Sequence, residues 1–518
     1  MRRNRRNRRR HPRRQLASAT RRFSGRGRLT LIGLVALSAG VVYVSLGGSP
    51  EEETPEAKPG LAAGSVAAVP AEPSLSPAPS LSPAPSLSPA PAPAPALAES
   101  VAPAPRPVFM QPPGAKLRPA PLELFGYLPV GTDDYAAFDA RSSGAPGDPA
   151  PEAAPIFHEF GDYRVEYAFD TELTRAILRV LKRGRVKRGH VIALDTRTGR
   201  VLAYVSTDPQ TFPPDRSYPA ASLVKVVTAA AALEHAPDRA RRPCLYNGNR
   251  YRLTPSRVHR PKRGNEASLE RALATSNNQC FAQLAVETLG SEALLSSVEA
   301  FGWLDPPAPG HAAGSADPGD DDYDLGRLGC GLAGSRITPL HAVQLAATLA
   351  NGEQVEPWWV DRIVDGKGNG LALPARAAPR RVISSELAEE LRSMLVRTTT
   401  HGTARSAFRD RRGRPKLRDI KVAGKTGNLS GGDPHGRYEW FIGVAPASEP
   451  TVAIAVLQLQ SNLWWSKSSE LAADIFKEVF CERGRCEPRH AARFTGDLGN
   501  AAAPVLLSDP GTSFDEGG

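Results

Sequence analysis

One long stretch of this 518-residue chain has a composition that cannot form a packed core, and it therefore limits where a folded domain can lie. Twenty of the 49 prolines fall within residues 50–121, and the hexamer Ser-Leu-Ser-Pro-Ala-Pro occurs there three times. Proline fixes φ and removes a backbone donor, while alanine and serine bury little apolar surface. Residues 48–121 are therefore predicted to be an extended, flexible linker. Residues 122–162, still rich in Gly, Pro and Asp, are predicted to be a loosely ordered approach segment.

The chain before the linker has the pattern of a membrane anchor. Residues 29–47 are uncharged and apolar, and at about 1.5 Å per residue a helix there would span roughly 28 Å, close to a bilayer core. The preceding residues 1–28 contain 13 Arg and no acid, which predicts a cytoplasmic tail. A single-pass anchor in the inner (cytoplasmic) membrane would then place the rest of the chain in the periplasm. A cleaved signal peptide is the alternative, since Ser45 and Gly47 are small residues at cleavage-like positions.

The charge balance excludes one large class of function. The net charge of +11 comes from the Arg-rich tail, because the chain after residue 28 has 52 basic and 54 acidic side chains. The body is therefore not a polybasic nucleic-acid binder, and no specific nucleic-acid partner is predicted.

The cysteines and histidines predict no metal site and no cofactor, because no pair of them has the spacing of metal ligands. Five cysteines leave at least one unpaired within the chain. If the domain lies outside the membrane, Cys481 and Cys486 can form a disulfide, but the sequence does not decide the pairing.

The remaining chain has strands at both ends and helices between them. Strand-like runs are Arg164–Asp170, His190–Asp195, Arg200–Val205, Tyr438–Val444 and Thr451–Gln458. Helical spacing of apolar residues marks Thr171–Lys187 and much of residues 223–395. This order predicts an α/β (α+β) fold, with an antiparallel sheet flanked by helices plus a helical subdomain. The domain is predicted to cover residues 163–480, followed by a C-terminal tail at 481–518.

Ser222-Leu-Val-Lys225 opens a strongly helical run. Residues three apart lie on one face of a helix, so the lysine amine is expected beside the serine hydroxyl. A serine is a weak nucleophile until a base takes its proton, and a lysine whose pKa is lowered by burial can be that base. The helix N-terminus adds backbone N–H groups that favour developing negative charge.

Two further short motifs follow in order. Ser276-Asn277-Asn278 comes after a helical run, where a hydroxyl can relay a proton and an amide can bind a peptide bond. Lys425-Thr426-Gly427 precedes a strand pair, where a cation and a hydroxyl on an edge strand can hold a carboxylate. Gly427 would let a substrate backbone approach closely. Each motif alone is weak evidence for a catalytic site. The prediction depends on all three motifs occurring in this order and in this structural context.

Together the three motifs resemble those of the penicillin-binding transpeptidases, the acyl-serine family that includes the serine β-lactamases. The resemblance covers roughly residues 163–480 and extends beyond the motifs to Leu269–Asn278, Gly329–Gly352, Gly402-Thr-Ala404 and Trp440–Gly443. It implies the penicillin-binding/β-lactamase-like transpeptidase fold.

The resemblance also implies a reaction. Ser222 would be the acylated nucleophile, Lys225 its general base and Ser276 the proton shuttle. The serine would attack the D-alanyl-D-alanine bond of a peptidoglycan stem peptide and release D-alanine. An amine from a neighbouring stem would then resolve the acyl-enzyme. β-Lactam antibiotics would act as covalent inhibitors because they mimic the dipeptide.

The implied substrate contacts come from the second and third motifs. Asn278 would bind the substrate's peptide amide, and Lys425 with Thr426 would hold its terminal carboxylate. The backbone N–H groups of Ser222 and Asn428 would form the oxyanion hole.

The chain departs from the family pattern at three positions. Asn428 stands where Thr or Ser is common, Ala221 where many members have Gly, and Val224 where Phe is frequent. These departures concern affinity for drugs more than the chemistry. No Glu-x-x-Leu-Asn segment lies between the second and third motifs, which argues for slow hydrolysis of β-lactams.

Alternatives to a transpeptidase remain at this point. A D,D-carboxypeptidase differs only in using water as the acceptor, and a serine β-lactamase shares the nucleophile. A non-enzymatic penicillin-binding sensor or a cell-wall assembly scaffold would keep the fold without the reaction. The sequence leaves the partners in cell-wall synthesis open.

Overall fold

The computed structural model describes residues 118–130, 156–460 and 465–496. The predicted tail at 1–28, the predicted anchor at 29–47 and residues 48–117 of the predicted linker lie outside the described residues. Among the helices that are described, none is both long and apolar enough to cross a membrane.

The described strands and helices follow one another along the chain as below. The strands are β1 Phe157–Phe160, β2 Tyr163–Tyr167, β3 Gly189–Asp195, β4 Val201–Ser206, β5 Tyr218–Pro219, β6 Cys244–Tyr246, β7 Asn265–Ala267, β8 Ser315–Ala316, β9 Ser335–Ile337, β10 Glu353–Gln354, β11 Val360–Val364, β12 Arg380–Arg381, β13 Ala423–Gly431, β14 Gly436–Ala445, β15 Val452–Gln460, β16 Cys481–Glu482 and β17 Arg485–Cys486. The helices are α1 Thr171–Arg183, α2 Val224–His235, α3 Pro237–Arg241, α4 Leu269–Ala274, α5 Asn278–Gln283, α6 Gly290–Ala300, α7 Asp322–Cys330, α8 Pro339–Thr348, α9 Ser385–Thr400, α10 Ser468–Phe480 and α11 Ala492–Thr495.

Five antiparallel strands form the central sheet in the order β13-β14-β15-β3-β4. Every residue of β3 and β15 is buried, which is the pattern of strands covered on both faces. α1 and α10 pack together against this sheet, and α8 packs on β3, β14 and β15. The structure thus confirms the predicted α/β (α+β) fold with an antiparallel sheet flanked by helices. Strand β13 lies at the edge of the sheet, as predicted for the third motif.

The helical subdomain is built around α2, which is buried from Val224 to Leu233. Its neighbours include α6, α7 and a π-helical segment, Leu284–Leu289. Alanines dominate the buried face of α2, so the surrounding helices can approach its backbone closely. The subdomain meets the sheet where β13 contacts a 3-10 turn, Ala221–Leu223, directly before α2.

Local sequence signals explain how several helices begin. The Asp170 side chain accepts a hydrogen bond from the Leu173 amide at the start of α1, at 2.7 Å. Ser384 caps α9 in the same way, and Thr338 caps α8 directly before a proline at its first position. Such caps satisfy amide groups that have no partner within the helix.

The folded domain begins before residue 163, its predicted start. β1 pairs with β2 in an antiparallel hairpin, and β11 joins them in a three-stranded sheet. Upstream, Leu124 and Val130 are buried, and the Val130 carbonyl accepts a hydrogen bond from the Ser206 amide at 3.0 Å. The described parts of 122–162 are therefore packed rather than loosely ordered, because their scattered apolar residues reach a core made by distant elements. Residues 131–155 lie outside the described residues.

The predicted C-terminal tail also begins with packed structure. Strands β16 and β17 form a small hairpin closed by a disulfide between Cys481 and Cys486. Beyond it, Ala491 and Phe494 are buried in the main core. Residues 481–496 therefore belong to the domain, and residues 497–518 lie outside the described part of the chain.

Candidate active site

The nucleophile motif lies in a constrained turn. Ala221 has a φ of +51°, in the left-handed region that residues with a Cβ rarely adopt. The turn is held from two sides: the Trp440 indole donates to the Pro219 carbonyl at 2.9 Å, and Gly331 packs against the Ala221 carbonyl. A Cβ at Gly331 would collide with that oxygen. Such strain persists only where the surroundings enforce it, and it is typical of functional sites.

Lys225 lies at the centre of the site. Its side chain is fully buried, and Nζ lies 2.8 Å from Ser222 Oγ, 3.2 Å from Ser276 Oγ and 2.6 Å from Asn278 Oδ1. Burial lowers the pKa of Lys225 to about 8. A neutral amine has two hydrogens and one lone pair, so it can donate to Ser276 and Asn278 and accept from the Ser222 hydroxyl. The three contacts thus match a lysine that acts as a base towards Ser222.

The second motif occupies the connection between α4 and α5. The Asn277 side chain caps α5, accepting from the amides of Gln279 and Cys280. Ser276, with a φ of +53°, turns its hydroxyl between two lysines. Asn278 Nδ2 donates to the Tyr251 carbonyl at 2.8 Å, so this amide is fixed by the protein on both its oxygen and its nitrogen.

The third motif approaches from the sheet. Lys425 is fully buried, and its Nζ lies 3.0 Å from Ser276 Oγ and 2.7 Å from the Thr426 carbonyl oxygen. Burial, followed by the neighbouring charge of Lys225, holds the pKa of Lys425 well below its usual range. Two ammonium groups beside one hydroxyl disfavour each other, so the pair favours a state with a single positive charge.

Gly427 is required by a close approach between the two halves of the site. A Cβ there would lie 3.3 Å from the Ala221 Cβ and 3.4 Å from the Ala220 carbonyl oxygen. A larger side chain would push β13 away from the nucleophile turn.

Asn428 lies at the exposed end of this arrangement. Its Oδ1 accepts a hydrogen bond from Arg437 Nε at 3.0 Å, which turns the side chain along the neighbouring strand β14. The backbone of Asn428 remains part of β13, paired with Glu439.

The side chains of five of the eight residues predicted for the site are therefore joined by hydrogen-bond distances: Ser222, Lys225, Ser276, Asn278 and Lys425. Thr426, Gly427 and Asn428 follow directly along β13. The residues come from a helix, an inter-helix loop and an edge strand. This convergence is what a hydroxyl nucleophile, a base and a carboxylate subsite require.

Thr403 belongs to the site although the sequence analysis assigned it no role. Its Oγ1 lies 2.6 Å from Thr426 Oγ1, and its amide donates to the Ala274 carbonyl at 3.1 Å. The residue thus ties the third motif to the end of the helix before the second. The sequence carries a signal for it, since Gly402-Thr-Ala404 is part of the resemblance to the family. A Cβ at Gly402 would collide with the same Ala274 carbonyl.

The five cysteines form two disulfides and one buried free thiol. Cys244 and Cys280 form a disulfide that links β6 to α5, a pairing the sequence did not indicate. The sequence did not decide whether Cys481 pairs with Cys486, and the structure contains this disulfide. Cys330 is a buried free thiol whose pKa is raised to about 11 by burial. Within the described residues, no group of three or more His, Cys, Asp or Glu side chains is placed to hold a metal ion.

A family model described as the penicillin-binding protein transpeptidase domain matches residues 189–480. The match includes all three motifs and more than half of the chain. The chain belongs to this family.

Individual relatives are similar over the same part of the chain. The peptidoglycan D,D-transpeptidase PbpA of Mycolicibacterium smegmatis is 31% identical over 317 residues, covering 52% of this chain and 61% of that protein. Stage V sporulation protein D of Bacillus subtilis is 25% identical over 327 residues, covering 57% of this chain and 48% of that protein. The chain thus spans less than two thirds of the length of these relatives.

A solved structure of PBPA from Mycobacterium tuberculosis has the same fold. It superimposes with a TM-score of 0.50 at 22% identity, covering 60% of this chain and 80% of that one. A ceftriaxone acyl-enzyme complex of penicillin-binding protein A from the same organism gives a TM-score of 0.50 at 24% identity, covering 64% of this chain and 80% of that one.

Proposed function

We propose that the chain is a membrane-anchored D,D-transpeptidase that cross-links peptidoglycan stem peptides through an acyl-enzyme on Ser222. One observation carries the proposal: the buried Lys225 amine lies 2.8 Å from the Ser222 hydroxyl, with its other contacts satisfied by Ser276 and Asn278. Relatives named peptidoglycan D,D-transpeptidase support the choice of substrate.

In the first half of the reaction, neutral Lys225 takes the proton of Ser222. The serine oxygen attacks the carbonyl carbon of the penultimate D-alanine, and the backbone N–H groups of Ser222 and Asn428 stabilise the oxyanion. The peptide C–N bond then breaks. The proton passes from Lys225 through Ser276 to the leaving nitrogen, D-alanine departs, and an ester to Ser222 remains.

The second half repeats these steps in reverse. The amine of a second stem peptide enters where D-alanine left and attacks the ester carbonyl. Its proton returns through Ser276 and Lys225 to Ser222, and the new peptide bond is the cross-link. Lys425 and Thr426 hold the terminal carboxylate of the donor in the first half, because Lys425 Nζ lies 3.0 Å from Ser276 Oγ and Thr426, which carries a hydroxyl, follows it on β13.

The location of the domain is part of the proposal. Residues 29–47 would anchor the chain in the inner (cytoplasmic) membrane with residues 1–28 in the cytoplasm and the domain in the periplasm. Two disulfides in the described domain support an oxidising compartment outside the cytoplasm. Protease digestion of intact spheroplasts tests this: the domain should be degraded while a short N-terminal fragment stays protected.

The decisive experiment is covalent labelling of the full-length chain in detergent with a fluorescent penicillin and with a D-alanyl thioester. Wild type should give a stable adduct with at least one reagent, and Ser222→Ala should give none. Ser296→Ala, an exposed serine on α6, is the matched control and should label as wild type does. A correctly folded wild-type chain that is acylated by neither reagent would overturn the proposal.

The acceptor is tested separately by product analysis on paired stem peptides. A transpeptidase should yield cross-linked dimers when an amine-bearing acceptor is supplied. Free tetrapeptide as the sole product would instead identify a D,D-carboxypeptidase, and rapid turnover of penicillin would identify a β-lactamase.

A further inference from the structure

We propose that residues 239–263, the basic segment, form a surface beside the active site that binds the carboxylate-bearing strands of peptidoglycan. This inference rests on the proposed function and adds to it a second point of contact with the substrate. It assigns a role to a run of nine basic residues that the catalytic chemistry does not use.

The basic segment is unlike the chain around it. It contains nine Lys and Arg residues and no Asp or Glu, whereas the whole chain after residue 28 is close to neutral with 52 basic and 54 acidic side chains. The positive charge here is therefore offset by an acidic excess elsewhere. Seven of the nine basic residues are exposed: Arg239, Arg241, Arg242, Arg252, Arg260, Lys262 and Arg263.

Hydrogen bonds and a disulfide hold the basic segment in a fixed position next to the active site. Asn278 donates from its amide to the Arg250 carbonyl at 3.0 Å and from Nδ2 to the Tyr251 carbonyl at 2.8 Å. The Gln279 side chain donates to the carbonyls of Asn247 and Asn249, each at 2.9 Å. The disulfide between Cys244 and Cys280 adds a covalent link to the same helix. A ligand held by the basic segment is thus held in fixed relation to Asn278.

Acidic neighbours neutralise only part of this charge. Arg241 pairs with Glu390 at 2.9 Å, and His259 lies 3.7 Å from Glu287 and 3.6 Å from Asp322. Among the ion pairs of the described residues, none involves the other six exposed basic side chains.

The surface also has a shape that can receive a ligand. A concavity of about 400 Å³ is lined by Arg239, Arg242, Arg260 and the disulfide of Cys244, with one carboxylate, Glu287, in its wall. Tyr251 is 52% exposed on the part of the basic segment that contacts Asn278. The exposed ring of Tyr251 offers an apolar face, and the exposed guanidinium groups of the basic segment offer hydrogen-bond donors.

Peptidoglycan matches this chemistry. A stem peptide that ends in D-alanyl-D-alanine carries a free carboxylate, and a strand repeats such groups along its length. Guanidinium groups bind carboxylates by paired hydrogen bonds, and several exposed charges together attract a polyanion even where each contact is weak. The basic segment would bring a strand to the site and keep it there between successive reactions.

The test is co-sedimentation of the full-length chain in detergent with purified sacculi. The variant Arg242→Gln/Arg252→Gln/Arg263→Gln removes three exposed charges, and Arg405→Gln/Arg411→Gln/Arg412→Gln removes three from another exposed basic region as the matched control. Wild type and both variants all contain the same Arg-rich residues 1–28. We expect the test variant to bind about fivefold more weakly at low salt and the control within about twofold, with the difference shrinking as salt is raised.

A further arm defines the ligand. Residues 1–28 contribute equally to wild type and to both variants, so only differences between these proteins report on the basic segment. The difference between wild type and the test variant should disappear on sacculi whose carboxylates are amidated. Equal binding by the test and control variants on native sacculi, or a difference that persists on amidated sacculi, would overturn the proposal.

Fluorescent-penicillin labelling of the same preparations separates this proposal from the proposed function. Normal labelling of the test variant with unchanged binding to sacculi would reject the basic segment alone. Absence of labelling in wild type would reject the acyl-enzyme proposal, whatever the sedimentation shows.

Discussion

The two walls of the active site are built on different principles. The helical wall supplies Ser222, Lys225, Ser276 and Asn278 from the packed helices of the subdomain. The sheet wall supplies Lys425 and Thr426 from β13, a single edge strand. Each wall has one fully buried lysine, and both lysines lie beside the hydroxyl of Ser276.

The difference between the walls follows from what surrounds each lysine. Lys225 faces three side-chain oxygens within 3.2 Å, one of which is the nucleophile. Lys425 faces one side-chain oxygen and the carbonyl of Thr426. The first environment places an amine against the Ser222 hydroxyl. In the second, an incoming carboxylate would raise the lowered pKa of Lys425 and hold it as a cation. Under the proposed function, the same residue type would serve proton transfer on one wall and charge recognition on the other.

Lys225→Arg should have the largest effect. Arginine keeps the positive charge but stays protonated, so it cannot take the proton of Ser222. We expect the second-order rate constant for acylation by benzylpenicillin to fall by about 10³-fold or more. Stopped-flow or gel-based acylation kinetics measure it. Retention of a tenth of the wild-type rate would show that the helical wall needs only charge.

Lys425→Gln should have a smaller and more selective effect. The substitution removes the charge of the sheet wall while keeping a polar group, and acylation by benzylpenicillin should slow by about 10²-fold. With the methyl ester of the same drug, which lacks the carboxylate, wild type and variant should differ by about twofold at most. An equal loss with both compounds would contradict the assignment of carboxylate binding to this wall.

The pH dependence of acylation should report the helical wall. Lys225 acts in its deprotonated form, and its pKa is lowered to about 8, so the active fraction rises as pH rises. We expect the acylation rate constant to increase about tenfold between pH 7 and pH 9, with its midpoint near pH 8. The residual rate of Lys225→Arg should show no such step. A rate that falls across this interval would argue against lysine as the base.

Thr403→Val should have the smallest effect and should act through the sheet wall. The substitution removes the hydroxyl of residue 403, so the Thr426 hydroxyl loses the partner that orients it. Noncovalent binding of penicillin should therefore weaken about fivefold, while the limiting acylation rate changes little. Thr403→Ser should restore binding to within about twofold. Thr400→Val is the control, since that hydroxyl donates within its own helix to the Val396 carbonyl. A loss in the limiting rate alone would mean that Thr403 does not act through Thr426.

Much of the site could be predicted because its reactive residues occur in short sequence motifs. The i, i+3 spacing of Ser222 and Lys225 places both on one helical turn whatever the rest of the fold does. The strand runs of the central sheet were also predictable, since an alternating or continuously apolar run between turn residues needs little context. Thr403 could not be assigned, because its role depends on a partner hydroxyl 23 residues away across the site.

Domain boundaries were the weaker part of the prediction. Residues 122–162 are rich in Gly, Pro and Asp, so composition alone indicates loose order, although the segment around Leu124 and the hairpin at Phe157–Tyr167 contain several apolar residues. They pack because other elements present a surface to them: Trp359, for example, donates from its indole to the Tyr127 carbonyl at 3.0 Å. The same holds for Phe494, which lies beyond the predicted end of the domain.

The amino-acid sequence by itself predicted a long unpacked linker, and it determined the alternation of strands and helices and the reactive groups with their local spacing. These depend on backbone propensity and on residues a few positions apart. Only the tertiary structure decided that Ser276 and Lys425, 149 residues apart, meet at 3.0 Å, that both lysines lose their water, and that Cys244 pairs with Cys280. A lowered lysine pKa comes from desolvation by elements distant in the chain, so no local pattern can specify it.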